Sequence, residues 1–371
     1  MEDLGPLEES VLPPGVRARF VDGVNGLRMH VLEAGFQDGE RPLAVLLHGF
    51  PELAYSWRKV LPALAAAGYH AVAPDQRGYG RTTGWDPSYD GDLASFRPLN
   101  LVRDVMGLVA ALGRTQVAAV VGHDFGAVPA AWAALLRPDV FRRLALLAVP
   151  FAGPPTLSSK PAAGGDIHAD LAALPRPRKH YQWYYSTRDA NGDMLGAPQG
   201  LTAFLRAYYH QKSADWAGNR PYRLAGWTAE ELAKMPAYYV MDLGRTMAET
   251  VAPEAPAAAA PWLTDAELAV YAREYARTGF QGGLQWYRCA TGRVMIEELE
   301  VFSGRAVEVP SLFLAGEADW CVRQSPGAFE RMQARALADL RGVHIIPGAG
   351  HWVQQEQPKA VNRRLLEFLA G

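Results

Sequence analysis

Three side chains able to act as acid, base or nucleophile stand on short glycine-rich turns: Asp124 in GHDFG (122–126), Asp319 in GEADW (316–320) and His351 in GAGHW (348–352). Gly122 and Gly126 flank Asp124 two positions away on each side. That spacing suits a nucleophile on a strained strand-to-helix turn, where neighbouring Cβ atoms would clash. An Asp side chain, with a free pKa of about 3.9, is already an anion at neutral pH and need not lose a proton before it attacks. Attack on an acyl carbon would give only a reactive anhydride. Attack on an sp³ carbon bearing a strained oxygen or a halide gives an ordinary alkyl ester, which points to epoxides or alkyl halides. The histidine is then free to activate the water that hydrolyses this ester, with Asp319 or the neighbouring Glu317 to orient it. Each residue also has a plainer reading, Asp124 as a helix N-cap and His351 as a satisfied core histidine. The agreement of all the parts favours chemistry.

The parts agree because each lies at the end of a predicted strand. LAVLLH (43–48), AVAPD (71–75), VAAVV (117–121), LALLAV (144–149) and SLFLAG (311–316) are short apolar runs of the kind that form buried parallel strands. Before them, Arg17 to Glu33 reads as a hairpin around the Asp22-Gly23 and Asn25-Gly26 turn signals. A helix carries Leu101, Val105, Leu108, Val109 and Leu112 on one face and stops at Gly113. After Phe151 the alternation ceases, and AGPPTLSSKPAAGGD (152–166) reads as a loop. The stretch to Ala306 is rich in Tyr, Trp and helical patterns, with PEAPAAAAP (253–261) as a connector and little that reads as a strand. The βα pattern then returns, with a helix over 326–340, the strand VHIIPG (343–348) and a last amphipathic helix near 359–369. The prediction is an α/β fold with a mostly parallel central sheet flanked by helices: core 1–152, inserted helical cap 153–306, core 307–371.

One more strand end carries LLHGFPE (46–52). The backbone N–H of Phe50, with that of Phe125 after the nucleophile, would form an oxyanion hole, and a cis bond before Pro51 would shape the turn. Composition narrows the partners. The chain has 371 residues, 49% of them hydrophobic, and a formal charge of −2 with no basic stripe, which argues against nucleic acid and an anionic membrane surface. The two cysteines, Cys289 and Cys321, make no disulfide framework and read as buried small residues. No run is long enough to span a membrane and the acidic start is no signal peptide, so the expectation is a cytoplasmic enzyme with a small, uncharged partner.

With HGFPE, YSWR (55–58), DQRGYG (75–80), GHDFG, GEADW and GAGHW, the chain resembles α/β-hydrolases of the soluble epoxide hydrolase group, in their chain order of nucleophile, acid and histidine. The resemblance extends into the cap, where HYQWYYS (180–186) and GFQGGLQWYR (279–288) are similar to the family's two lid segments. It implies Asp124, Asp319 and His351 as the triad, with no cofactor and no metal. It also implies Tyr181 and Tyr287 as hydroxyl donors to the opening epoxide, Glu52 as a holder of the hydrolytic water, and a small apolar epoxide as substrate. Composition alone would leave Tyr181 and Tyr287 as cap core, because Tyr184, Tyr185, Tyr208, Tyr209, Tyr238 and Tyr239 are equally visible; Glu52 would be an exposed carboxylate and His123 a shaper of the turn. Departures from the family are Phe125, where Trp is usual, and an unmatched stretch of cap over 191–250. The alternatives are a haloalkane or haloacid dehalogenase with the same nucleophile, and a ligand receptor on the same fold.

Overall fold

The computed structural model describes residues 4–157 and 166–371; part of the loop expected at 152–166 lies outside the described residues. Eight strands form one sheet in the order β1-β2-β4-β3-β5-β6-β9-β10. They are β1 (Val16–Val24), β2 (Leu27–Ala34), β3 (Leu43–Leu47), β4 (His70–Pro74), β5 (Ala119–His123), β6 (Leu144–Leu147), β9 (Ser311–Gly316) and β10 (Leu340–Ile346). The expected hairpin is β1-β2, antiparallel with Arg17 opposite Glu33, and β2 also runs antiparallel to β4. All other pairings are parallel. Every residue of β3, β4, β5, β6 and β9 is buried, as expected of strands covered on both faces. From β3 the chain crosses to β4 on one side and later returns as β5 on the other. Strand order therefore reverses between β3 and β5, and the crevice above their carboxyl ends is where open α/β sheets hold ligands.

Three helices on this core are α1 (Leu61–Ala66), α2 (Pro98–Ala111) and α3 (Ala127–Leu136). The strand expected at 117–121 begins two residues later, because Val120 must pair with both Val45 and Leu144, and Val117 makes only an isolated bridge to Phe141. The helix expected over 326–340 shrinks to Ala328–Arg331 followed by a wider turn, Met332–Ala336. There the chain leaves the helical path to bond with Val307, whose N–H donates to the Ala336 carbonyl and whose carbonyl accepts from Ala338. As a result β10 starts at Leu340, ahead of the expected Val343.

Between β6 and β9 the described chain is mainly helical, and two three-residue strands, β7 (Arg178–His180) and β8 (Val240–Asp242), pair antiparallel there against expectation. Among its helices are Tyr181–Tyr185, Leu201–Lys212, Asp265–Thr278 and Gln281–Thr291. The third opens on a capping box, Thr264 with Glu267. The fourth rests directly on the DQRGYG loop, since a Cβ on Gly282 would stand 2.0 Å from the Gly78 carbonyl oxygen. This glycine contact sets the depth of Tyr287. No described helix is long and apolar enough to cross a membrane.

At the sheet's antiparallel end Glu33 is enclosed by Arg17, Arg19 and His70, at 2.8, 2.6 and 2.8 Å. Burial alone would raise its pKa, but hydrogen bonds from His70, Arg19 and Arg17 pull it from 4.5 down to about 2. A depressed carboxylate stabilises the fold fully above its unfolded value, and this contribution disappears as pH falls through the folded one. Glu33→Gln should therefore lower the melting temperature at neutral pH, and the gap to the wild type should close between pH 4.5 and 2. A gap that stays constant over that range would contradict the assignment.

Candidate active site

The turn after β5 is built by exclusion. Asp124 has φ +50°, in the left-handed region, and a Cβ on Gly122 or Gly126 would approach the Gly126 or Leu47 carbonyl oxygen to 2.4 or 2.3 Å. The Asp124 carboxylate is thereby lifted over the switch point. Its Oδ1 accepts the Phe50 N–H at 3.0 Å, and the Phe50–Pro51 bond is cis. The Phe125 N–H makes no such bond to Asp124, so one of the two expected oxyanion donors is engaged.

From the end of β9 comes Asp319, and from the loop after β10 comes His351, both buried. His351 Nδ1 lies 3.2 and 3.3 Å from the two Asp319 oxygens, and its Nε2 lies 3.2 Å from Asp124 Oδ2. Of the two acids left open by the sequence, Asp319 reaches His351, and Glu317 is exposed. Burial would raise the Asp124 pKa, but the hydrogen bond and charge of His351, then Lys212 and His123, hold it far below the usual carboxylate range. Burial and the Lys212 ammonium lower the His351 pKa, yet Cys321, Asp319 and Asp124 raise it more, and the net value stands well above that of a free imidazole.

Above the turn, the Tyr287 ring is 4.6 Å from Phe125, 5.4 Å from Phe50 and 6.0 Å from the Tyr181 ring. Tyr181 donates its hydroxyl to Gln324 Oε1 at 3.2 Å. Burial raises the pKa of both phenols, and the Asp124 charge adds to it, so each keeps its proton. Several of the competing tyrosines are committed elsewhere: Tyr184 to Asp193, Tyr209 to the Pro51 carbonyl, Tyr238 to Asn219.

The α/β-hydrolase fold family model matches residues 42–358. Epoxide hydrolase B of Mycobacterium tuberculosis is 35% identical over 93% of this chain and 96% of its own length; epoxide hydrolase A of the same organism is 36% identical over 95% and 97%. The chain belongs to the epoxide hydrolases of the α/β-hydrolase fold. Among solved structures, an epoxide hydrolase from an endophytic Streptomyces superposes with TM-score 0.77 at 34% identity, covering 97% of this chain and 96% of that one. Potato epoxide hydrolase I gives 0.74 at 31%, covering 96% and 99%.

Around this family core, Glu52 departs from both of its sequence readings. It is fully buried, and protein donors fill its oxygens: the Gly49 N–H and His123 on Oε2, Gln354 and Gln355 on Oε1. Burial opposes its charge, but His123 and the Gly49 N–H outweigh that and lower its pKa. His123, read from sequence only as shaping the turn, joins Glu52 at 2.5 Å to the His351 carbonyl at 2.8 Å. Gln355 continues the chain of bonds to Arg58, which pairs with Glu267 on the helix Asp265–Thr278.

Two more residues were invisible as site residues. Cys321 is buried, as expected, yet its sulfur lies with Asp124 and His351 in a group whose donor atoms are all within 4.8 Å of one another. Lys212 ends the helix Leu201–Lys212, inside the unmatched cap stretch, and its carbonyl accepts the His351 N–H at 2.8 Å. The closeness of Asp319 and Cys321 in sequence was a signal for the first. Lys212 had none.

Proposed function

We propose that the protein hydrolyses an epoxide to a vicinal diol through an ester on Asp124. The observation that carries this reading is a buried, ionised Asp124 paired at 3.2 Å with His351, beneath a lid that offers protonated phenols. In the first step Asp124 attacks an epoxide carbon, the C–O bond breaks, and Tyr181 and Tyr287 donate to the forming alkoxide. The alkoxide takes the proton of a phenol, and esterification removes the negative charge that holds the proton on His351; that proton is released to water and the phenol is reprotonated in turn, so the imidazole becomes a base only when one is needed. Oriented by Asp319, it takes a proton from water that attacks Cγ, and the N–H groups of Phe50 and Phe125 hold the oxyanion on Asp124 itself. Glu52 acts through His123 and the HGFPE turn. The helical region 153–306 serves as the lid, and the protein works in the cytoplasm on a small epoxide, with no nucleic acid or membrane partner.

A dehalogenase would hold its departing halide with weakly engaged N–H donors. Here two of the indoles near the site donate elsewhere, Trp286 to the Arg77 carbonyl and Trp352 to the Tyr209 carbonyl. The test uses styrene oxide, aliphatic epoxides and 1-chlorobutane. Diol and no chloride are expected. Tyr181→Phe and Tyr287→Phe should each slow alkylation, by about 10²-fold if each hydroxyl is worth as much as a comparable oxyanion donor. Alkylation at the wild-type rate in both, with loss in Tyr185→Phe, would move the role to Tyr185, whose buried hydroxyl has no hydrogen-bond partner among the described residues.

A further inference from the structure

The backbone N–H groups of Gly350, His351 and Trp352 are all engaged, and two of them donate to one side chain. Glu356 accepts Gly350 on Oε2 at 2.8 Å and Trp352 on Oε1 at 2.9 Å. The N–H between them, that of His351, goes to the Lys212 carbonyl at 2.8 Å. Glu356 Oε2 also accepts the Ala214 N–H at 2.8 Å, so a single carboxylate holds both the histidine loop and the lid segment that follows the helix Leu201–Lys212. The two backbones touch there: a Cβ on Gly350 would stand 2.5 Å from the Ser213 carbonyl carbon and 2.6 Å from the Ala214 nitrogen.

The place is otherwise a poor one for a carboxylate. Glu356 is the last residue of the short helix Val353–Glu356, at the end where helix carbonyls disfavour negative charge. Burial pushes its pKa up to about 7, against the pull of the Ala214, Gly350 and Trp352 N–H groups, and the charge of Asp215 adds to the rise. What the side chain gains in return is three charge-assisted bonds to backbone, two of them on either side of the catalytic histidine.

The imidazole of His351 has little freedom to compensate for a moved backbone, because its two nitrogens must reach Asp319 and Asp124 at once, each at 3.2 Å. The other reacting groups rest on different supports. Asp124 stands on the turn after β5 and is held by the Phe50 N–H, and Tyr287 is set by the contact of Gly282 with Gly78. We propose that Glu356 is a positioning residue for His351: by fastening the backbone on both sides of the histidine to the lid, it sets the imidazole for the water that hydrolyses the ester. This rests on the ester route proposed above. Glu356 touches no reacting atom, so its loss falls on hydrolysis and spares alkylation. A reacting group misplaced by about 1 Å can cost about 10²-fold in rate.

The test separates the two half-reactions with styrene oxide in single turnover, above pH 7, where the wild-type carboxylate is ionised. In Glu356→Gln the amide nitrogen must face at least one of the three N–H groups, and in Glu356→Asp the carboxylate is one methylene too short. Each variant should hydrolyse the ester about tenfold to 10²-fold more slowly and alkylate within about threefold of the wild-type rate. Mass spectrometry should then find the ester on Asp124 during turnover. In the wild type, the Ala214, Gly350 and Trp352 amides should be protected from hydrogen exchange, a reading that needs no variant to fold. Unchanged hydrolysis, equal slowing of both steps as a purely structural role would give, or free exchange of those amides would overturn the proposal. His351→Gln is the reference. If it traps no ester, the ester route falls and the proposal with it; if it traps one while both Glu356 variants hydrolyse theirs at the wild-type rate, only the positioning role falls.

Discussion

With His351 replaced by Gln, the protein should take up one epoxide and stop. The carboxylate of Asp124 is already ionised and held by the Phe50 N–H, so alkylation needs no base. Hydrolysis does, and Gln has no proton-accepting nitrogen to supply it. Steady-state diol formation should fall by about 10²–10⁴-fold, the usual worth of a positioned general base, while the ester accumulates to one equivalent. Intact-protein mass spectrometry should find one substrate mass added, and digestion should place it on the peptide containing Asp124. The wild type should show little adduct, because its imidazole is released as the ester forms. Bound substrate without an adduct would count against the covalent route. An adduct on any other residue would move the nucleophile.

The parts of this site that were legible in the sequence are those fixed by local geometry. Gly122 and Gly126 admit no Cβ, and that exclusion is written into five consecutive residues. The buried parallel strands announce themselves because every residue of β3 or β5 is covered, leaving a continuous apolar run. Less legible were features settled by distant partners. β5 begins where Val45 and Leu144 require it, and the helix after Gly327 breaks off where Val307 claims its backbone. β7 and β8, three residues each, are too short for any alternation to show. Glu52 reads as an isolated carboxylate until His123, Gln354 and Gln355, remote along the chain, close around it. Lys212 looks like an ordinary last-turn lysine of a helix, favourable to its dipole, and only packing of the helix Leu201–Lys212 onto the His351 loop brings it inside.

The source of the added oxygen separates the ester route from direct attack by water, with an all-or-none outcome. If Asp124 attacks carbon, the oxygen gained in the first turnover is one of its own carboxylate oxygens. Water refills the carboxylate when the ester is hydrolysed at Cγ. With enzyme in excess over epoxide in ¹⁸O-water, the first diol should be unlabelled and the heavy isotope should be found in the Asp124 peptide. Label should enter the diol only on later turnovers. The geometry favours this order, because His351 Nε2 lies 3.2 Å from the Asp124 carboxylate before reaction, and the charge of that carboxylate keeps the imidazole protonated until it is removed. Direct attack by an activated water predicts the reverse: a fully labelled first diol with Asp124 still light. That result would make the triad a general-base site and leave the aspartate at the turn without the chemical reason given for it. His351→Gln closes the logic, since its ester never meets an activated water, and no label should enter Asp124.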